Sequence, residues 1–138
     1  MISCSYVKFF LNWRETSRKK FDSFRLAAVC DRYGEAANHV ASVVEDATGE
    51  RPIVYTDLDK MLDSVPGLEA LDIVTDPSTH HVFAEKAFDA GLNVMTEKPM
   101  GLTIRACQLM RSSAERAGKV LSIAENYRRD PMNRLANT

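Results

Sequence analysis

The chain has 138 residues, 45% of them apolar, and a formal net charge of −1. That length is a single domain's worth, and the apolar share suffices for a core that buries roughly two-thirds of the unfolded surface, so a second domain is not expected. Basic residues gather near the start (Arg14, Arg18, Lys19, Lys20, Arg25) and the end (Arg128, Arg129, Arg134). Neither group is dense or interleaved with aromatics as a nucleic-acid surface is, so both read as solvated helix faces.

The three cysteines, Cys4, Cys30 and Cys107, are widely spaced and include no Cys-x-x-Cys pair. No histidines stand near them at metal-ligand spacing, so no metal site is expected and the pattern reads as a reducing cytoplasm. The apolar patch of Tyr6, Val7, Phe9, Phe10 and Leu11 is interrupted by Lys8 and has no small-residue cleavage site after it. It suits neither a signal peptide nor a membrane span.

In chain order, residues 5–20 carry apolar positions compatible with a helix that turns basic towards its end, where cations favour the dipole. Only Met1 to Cys4 precede it, so the strand that should open a strand-turn-helix unit is expected to be absent or a stub. From residue 25 onward, short β-branched or apolar runs alternate with helical stretches, the pattern of βαβ units on a parallel sheet. Strands are expected at Leu26 to Cys30, Ile53 to Tyr55, Ala70 to Thr75, Asn93 to Thr96 and Val120 to Ala124. Helices are expected at 34–48, 57–64, 79–90 and 103–117. Asp57 and Thr103 read as N-caps, and Gly91 and Gly118 as C-caps. Phe83, Ala84, Ala87 and Phe88 share a helix face suited to packing on the sheet. The fold class is therefore α/β, a Rossmann-type doubly wound parallel sheet with a missing or rudimentary first strand.

Three strand ends carry candidate chemistry, because ligands of open α/β sheets bind beyond the carboxyl ends of the strands. The strand ending at Cys30 delivers Asp31, an acceptor for ribose hydroxyls, with Arg32 next to it to lie against adenine or pair with a 2′-phosphate. Asp31 thus favours NAD, while Arg32 keeps NADP open; the plainer alternative is that Asp31 caps the following helix. The strand ending at Thr75 breaks into Asp76-Pro77-Ser78-Thr79-His80-His81, where hydroxyls and backbone N–H groups at a helix start suit a ribose or pyrophosphate. Here Ser78 or Thr79 could be simple N-caps, His80 could be satisfied by a backbone carbonyl, and His81 is expected to be exposed. The third strand ends in Glu97-Lys98-Pro99. A lysine in a partly desolvated crevice can orient a substrate hydroxyl, the plainer alternative being a solvated Glu-Lys pair. The Lys98-Pro99 bond is a candidate for the cis form that about 5–6% of such bonds adopt.

The order and spacing of these pieces resemble the N-terminal, nucleotide-binding domain of the glucose-fructose oxidoreductase/inositol dehydrogenase (Gfo/Idh/MocA) family. The resemblance covers about residues 24–135. It rests on Leu26 to Asp31, Leu71 to Thr75, His80 with Ala84, Ala87 and Ala90-Gly91, Val94 to Pro99, and Ala124 to Pro131. It implies an NAD(P)-dependent oxidoreductase acting on sugars, cyclitols and related hydroxyl compounds. Lys98 then matches the lysine that contacts substrate and helps set up hydride transfer, and Glu97 a residue beside the nicotinamide ribose. Thr75, Pro77 and His80 line the nicotinamide side, with Asn126 and Arg128 near the cofactor. The implied partners are a dinucleotide (NAD or NADP) and a small hydroxylated substrate, with a homo-oligomer or partner chain, and neither nucleic acid nor membrane.

Two departures from the family's pattern stand out. The family opens with a strand and a Gly-x-Gly-x-x-Gly turn, and nothing like it precedes Asp31. The family's substrate domain is expected after residue 135 and is absent, so residues 1–138 read as an incomplete NAD(P)-binding Rossmann domain, inactive as this isolated chain. In a sheet ordered 3-2-1-4-5-6 the first strand is central. Its loss removes about five ladder bonds at ~0.5–1.5 kcal/mol each and several buried side chains at ~1.5–3 kcal/mol each, on the order of 10 kcal/mol, so marginal stability is expected. Two other readings compete. One is a non-enzymatic remnant or interaction module of the same fold. The other is a receiver-like signalling domain using Thr75 and Lys98-Pro99, whose paired acids on a first strand the chain lacks.

Overall fold

Among the described residues of the computed structural model, 25–127, five short strands alternate with four helices. The elements are β1 (Ala28–Cys30), α1 (Gly34–Thr48), β2 (Ile53–Tyr55), α2 (Leu58–Ser64), β3 (Ala70–Ile73), α3 (His80–Asp89), β4 (Asn93–Glu97), α4 (Ile104–Ala117) and β5 (Leu121–Ala124). The expected helix at 5–20, the stub strand before it and Arg128 lie outside the described residues.

Every element expected after residue 25 is present, with ends moved by a residue or two. The moves have local causes. Helices α2 and α4 begin one residue late because Asp57 and Thr103 cap them from outside, accepting from the backbone N–H of Lys60 and Ala106, each at 3.1 Å. Strand β3 ends at Ile73 rather than Thr75, with Val74 left as an isolated bridge. Helix α3 stops at Asp89, with Ala90 as its cap and Gly91 one residue beyond at φ 77°. The Leu92 N–H then closes back to the Ala87 carbonyl at 2.9 Å, a hand-over that needs the left-handed conformation glycine adopts without strain. Gly118, by contrast, is itself the cap of α4 at φ 63°.

The described chain falls into two compact units, divided between Leu68 and Glu69. In residues 25–68, β1 pairs in parallel with β2, from Ala28 opposite Ile53 to Cys30 opposite Tyr55. The Asp31 N–H carries the ladder one step further, to the Tyr55 carbonyl at 3.1 Å. Val29, Cys30, Ala37, Ala41, Val44, Leu58 and Met61 form the buried core, the small alanines letting α1 approach closely. Burial pushes the Cys30 thiol up to about 11, helped by the nearby charges of Asp31 and Asp57. Since the thiolate is the nucleophile, only about one Cys30 in a thousand is reactive at pH 8. Peptide mapping after brief iodoacetamide treatment is therefore expected to find Cys30 unmodified in the native chain and fully modified in urea. Native-state labelling at the rate of a model thiol would contradict that burial.

In residues 69–127 the strand order is β3-β4-β5, all parallel. The register runs Ala70↔Asn93 to Ile73↔Thr96, and Val94↔Leu121 to Glu97↔Ala124. Leu71, Ile73, Val94, Ala84, Ala87, Phe88, Met110 and Ala114 are buried, whereas Phe83, expected on the packing face, is half-buried. Helices α3 and α4 pack together and bury Ser113, which accepts from Arg116 at 3.0 Å. Parallel pairing thus forms two ladders, β1-β2 and β3-β4-β5, instead of one continuous sheet, and no strand among the described residues joins them. Among the described residues, no helix is long and apolar enough to cross a membrane, and no group of three His, Cys, Asp or Glu could hold a metal ion.

Candidate functional site

In the first unit, β1 delivers Asp31 to its carboxyl end, and the side chain is 3% exposed. Its Oδ1 accepts from the Tyr33 N–H at 2.7 Å, an Asx-type turn that fixes the exit from the strand. The N-cap of α1 is Tyr33, whose side chain makes no capping bond, so Asp31 shapes the turn and does not cap the helix. Its Oδ2 is buried and has no hydrogen-bond donor among the described residues. A carboxylate oxygen is acceptor-only, so this atom suits a ligand hydroxyl. The Arg32 guanidinium lies 4.7 Å from the centroid of the exposed Tyr33 ring, a cation–π pair at the start of α1.

In the second unit, the register sets the site. It pairs Ile73 with Thr96 and Glu97 with Ala124, so Lys98 and Glu125 each directly follow the last paired residues of β4 and β5, and Thr75 lies two residues past the end of β3. Glu125 was not among the residues expected from sequence, and only strand register could have found it. The turn after β3 is tied by its own side chains. Asp76 Oδ1 accepts from both the N–H and the hydroxyl of Ser78, which holds the Asp76 carboxyl below its usual range. The Thr79 hydroxyl lies 2.9 Å from that of Thr75 and 2.7 Å from the Asp76 carbonyl. Thr79 is the N-cap of α3 by position but not by side-chain bond, and Pro77 sits half-buried within the turn.

His80 is fully buried, its Nε2 3.1 Å from the Thr75 carbonyl and its Nδ1 3.3 Å from the Met100 carbonyl. The ring thus meets backbone on both sides. His81, expected to be exposed, is half-buried, as the next residue of the same helix, and its Nδ1 has no partner among the described residues. After β4, the Lys98 N–H donates to Glu97 Oε2 at 2.8 Å, the Lys98-Pro99 bond is cis, and the Lys98 side chain is exposed. Thr96, one step inside the strand, is fully buried, and its hydroxyl has no partner among the described residues. Asn126 is exposed just beyond β5. The structure therefore gathers Thr75, Pro77, His80, Glu97 and Lys98 in one unit, with Asp31 and Arg32 in the other.

Residues 7–125 match the family described as oxidoreductase, NAD-binding Rossmann fold. D-apiose dehydrogenase from Paraburkholderia graminis is 32% identical over 122 residues, covering 86% of this chain and 29% of that protein. Among solved structures, UDP-N-acetylglucosamine 3-dehydrogenase from Acidithiobacillus ferrooxidans superposes with a TM-score of 0.67 at 29% identity, over 80% of this chain and 34% of that one. The WlbA dehydrogenase from Bordetella pertussis, in complex with NADH and UDP-GlcNAcA, gives a TM-score of 0.67 at 26% identity, over 80% and 32%. The chain spans about a third of the length of these relatives. With parallel topology and a family match over 7–125 in agreement, the chain belongs to the Gfo/Idh/MocA oxidoreductases as their NAD-binding Rossmann-fold portion.

Proposed function

We propose that this chain holds the dinucleotide of a dehydrogenase acting on a sugar, cyclitol or related hydroxyl compound, with NAD preferred to NADP. The observation that carries the reading is Asp31, buried at a strand end with Oδ1 engaged by Tyr33 and Oδ2 left as an acceptor. That atom fits an adenosine ribose hydroxyl. A 2′-phosphate would instead meet a carboxylate of the same sign, which disfavours NADP. Arg32, already stacked on Tyr33, offers a flat cationic surface for adenine.

When bound, the nicotinamide supplies the acceptor or donor of hydride. The chain's own residues bind and orient around it. By resemblance to the family, Thr75 and Pro77 are assigned to the nicotinamide side, Glu97 to its ribose and Asn126 to the cofactor's surroundings. Lys98, whose ammonium carries three donors, holds the substrate hydroxyl oxygen. Sugar-acting relatives such as D-apiose dehydrogenase support that substrate class.

A second reading, a remnant that binds dinucleotide weakly or not at all, is favoured by one sequence fact: no glycine precedes Gly34. The tight turn that brings backbone N–H groups onto pyrophosphate is then not supplied by residues 1–33. Fluorescence titration of the chain with NADH and NADPH separates the two readings. Saturable NADH binding at least tenfold tighter than NADPH, without turnover by these residues alone, is expected. No binding at millimolar NADH would leave the remnant.

A further inference from the structure

We propose that His80 is a positioning residue: it ties the turn after β3 to the turn after β4 and so fixes where Lys98 stands. The resemblance alone puts this ring beside the nicotinamide, but a side chain with no exposed surface has no face to offer a ligand. Its two nitrogens are taken up by backbone, at 3.1 Å from the Thr75 carbonyl and 3.3 Å from the Met100 carbonyl. Those carbonyls are 25 residues apart in sequence, and each lies two residues or fewer from a candidate site residue. A neutral imidazole has one N–H, so one carbonyl accepts a full bond at a time, and the shorter contact marks Thr75 as the better placed.

The two turns differ in how far they hold themselves. The first is closed internally by Ser78 on Asp76 and by Thr79 on Thr75 and Asp76. In the second, among the described residues, the Glu97 carboxylate reaches the Lys98 N–H, and the next side-chain bond along the chain is the Thr103 cap of α4. Leu102, between them, is exposed. Residues 98–102 therefore take their placement from the already rigid first turn, through His80. A buried ring N–H is costly to leave without an acceptor, so the tie is specific to a side chain that sets a donor between the two carbonyls, holding one by a full bond and the other by packing against it.

The role assigned to Lys98 rests on the proposed function, but the tie itself is testable without any ligand. Hydrogen–deuterium exchange is measured on the full chain and on His80→Leu, His80→Gln and His80→Asn. Leucine fills the space without a donor, glutamine carries an N–H near the position of Nε2, and asparagine near that of Nδ1. His80→Leu is expected to speed exchange about tenfold in 75–79 and 98–103 while Leu71 and Val94 stay protected, with His80→Gln recovering most of it and His80→Asn less. NADH affinity is expected to fall about tenfold in His80→Leu and to recover in His80→Gln. Unchanged exchange at both turns, or a uniform loss across β3, β4 and β5, would overturn the tie. Should the variants not fold, ring 15N spectra of the unaltered chain decide it: a slowly exchanging His80 ring N–H supports the tie, and a freely exchanging one overturns it. Localised loosening in a chain that binds no NADH would sustain the tie and reject the dehydrogenase reading.

Discussion

Ile73→Ala is expected to cost about 2–5 kcal/mol, enough to remove most of the stability of a fold that has ~5–15 kcal/mol in total. Ile73 is fully buried on β3, opposite Thr96 of β4, and is among the largest fully buried side chains described. Strand β3 contributes only Ala70–Ile73 to the ladder, so little else in the strand can absorb a cavity there. Thr75 follows two residues past the end of this strand, so loss of packing at Ile73 is expected to abolish cofactor binding as well as lower the melting temperature. Ile73→Val, which removes one methylene, is expected to cost only ~0.5–1.5 kcal/mol and to leave binding intact. Urea melts of the pair check this. An alanine variant within about 1 kcal/mol of the parent would show that the β3-β4-β5 ladder is not packed as described.

Asp31→Asn is expected to weaken NADH binding about 10- to 100-fold while leaving the fold as stable as before. The asparagine Oδ1 can still accept from the Tyr33 N–H, so the turn is kept. What changes is the other atom: an amide donor replaces Oδ2, the buried oxygen that has no donor among the described residues. A hydrogen bond to a charged group is worth about 1.5–3 kcal/mol, which sets the size of the affinity loss. Removing a buried, half-satisfied charge offsets any loss in the turn, so melting is expected to stay level or rise slightly. Equal NADH affinities for parent and variant would remove Asp31 from the cofactor site.

Much of the fold was legible because its signals are local. Asp57 and Thr103 act as caps through their own side chains, and the glycines after α3 and α4 adopt the left-handed turn that their positions between helix and strand suggest. The family could be read for a similar reason, since Asp31 and Glu97-Lys98-Pro99 stand at strand ends and His80 opens the helix after β3, each in a short, contiguous run. What could not be read depends on pairing across distance. The surroundings of His80 are decided by Met100, 20 residues away, and sequence left the ring between a ligand-lining and a structural role. That Lys98 and Glu125 both directly follow the last paired residues of one ladder is settled by the β4-β5 register alone. Asp31 was open to being a helix cap because an acid after a strand and before a helix satisfies both patterns, and only the position of Tyr33 separates them.

The most direct measurement is an amide 1H–15N titration of the chain with NADH. Saturable shifts confined to residues 31–34, 75–80 and 97–101 are predicted, all lost at 31–34 in Asp31→Asn. Shifts centred instead on the opposite strand ends, near Ile53 or Val120, or no shifts at millimolar NADH, would contradict the assignment of these strand ends to a dinucleotide.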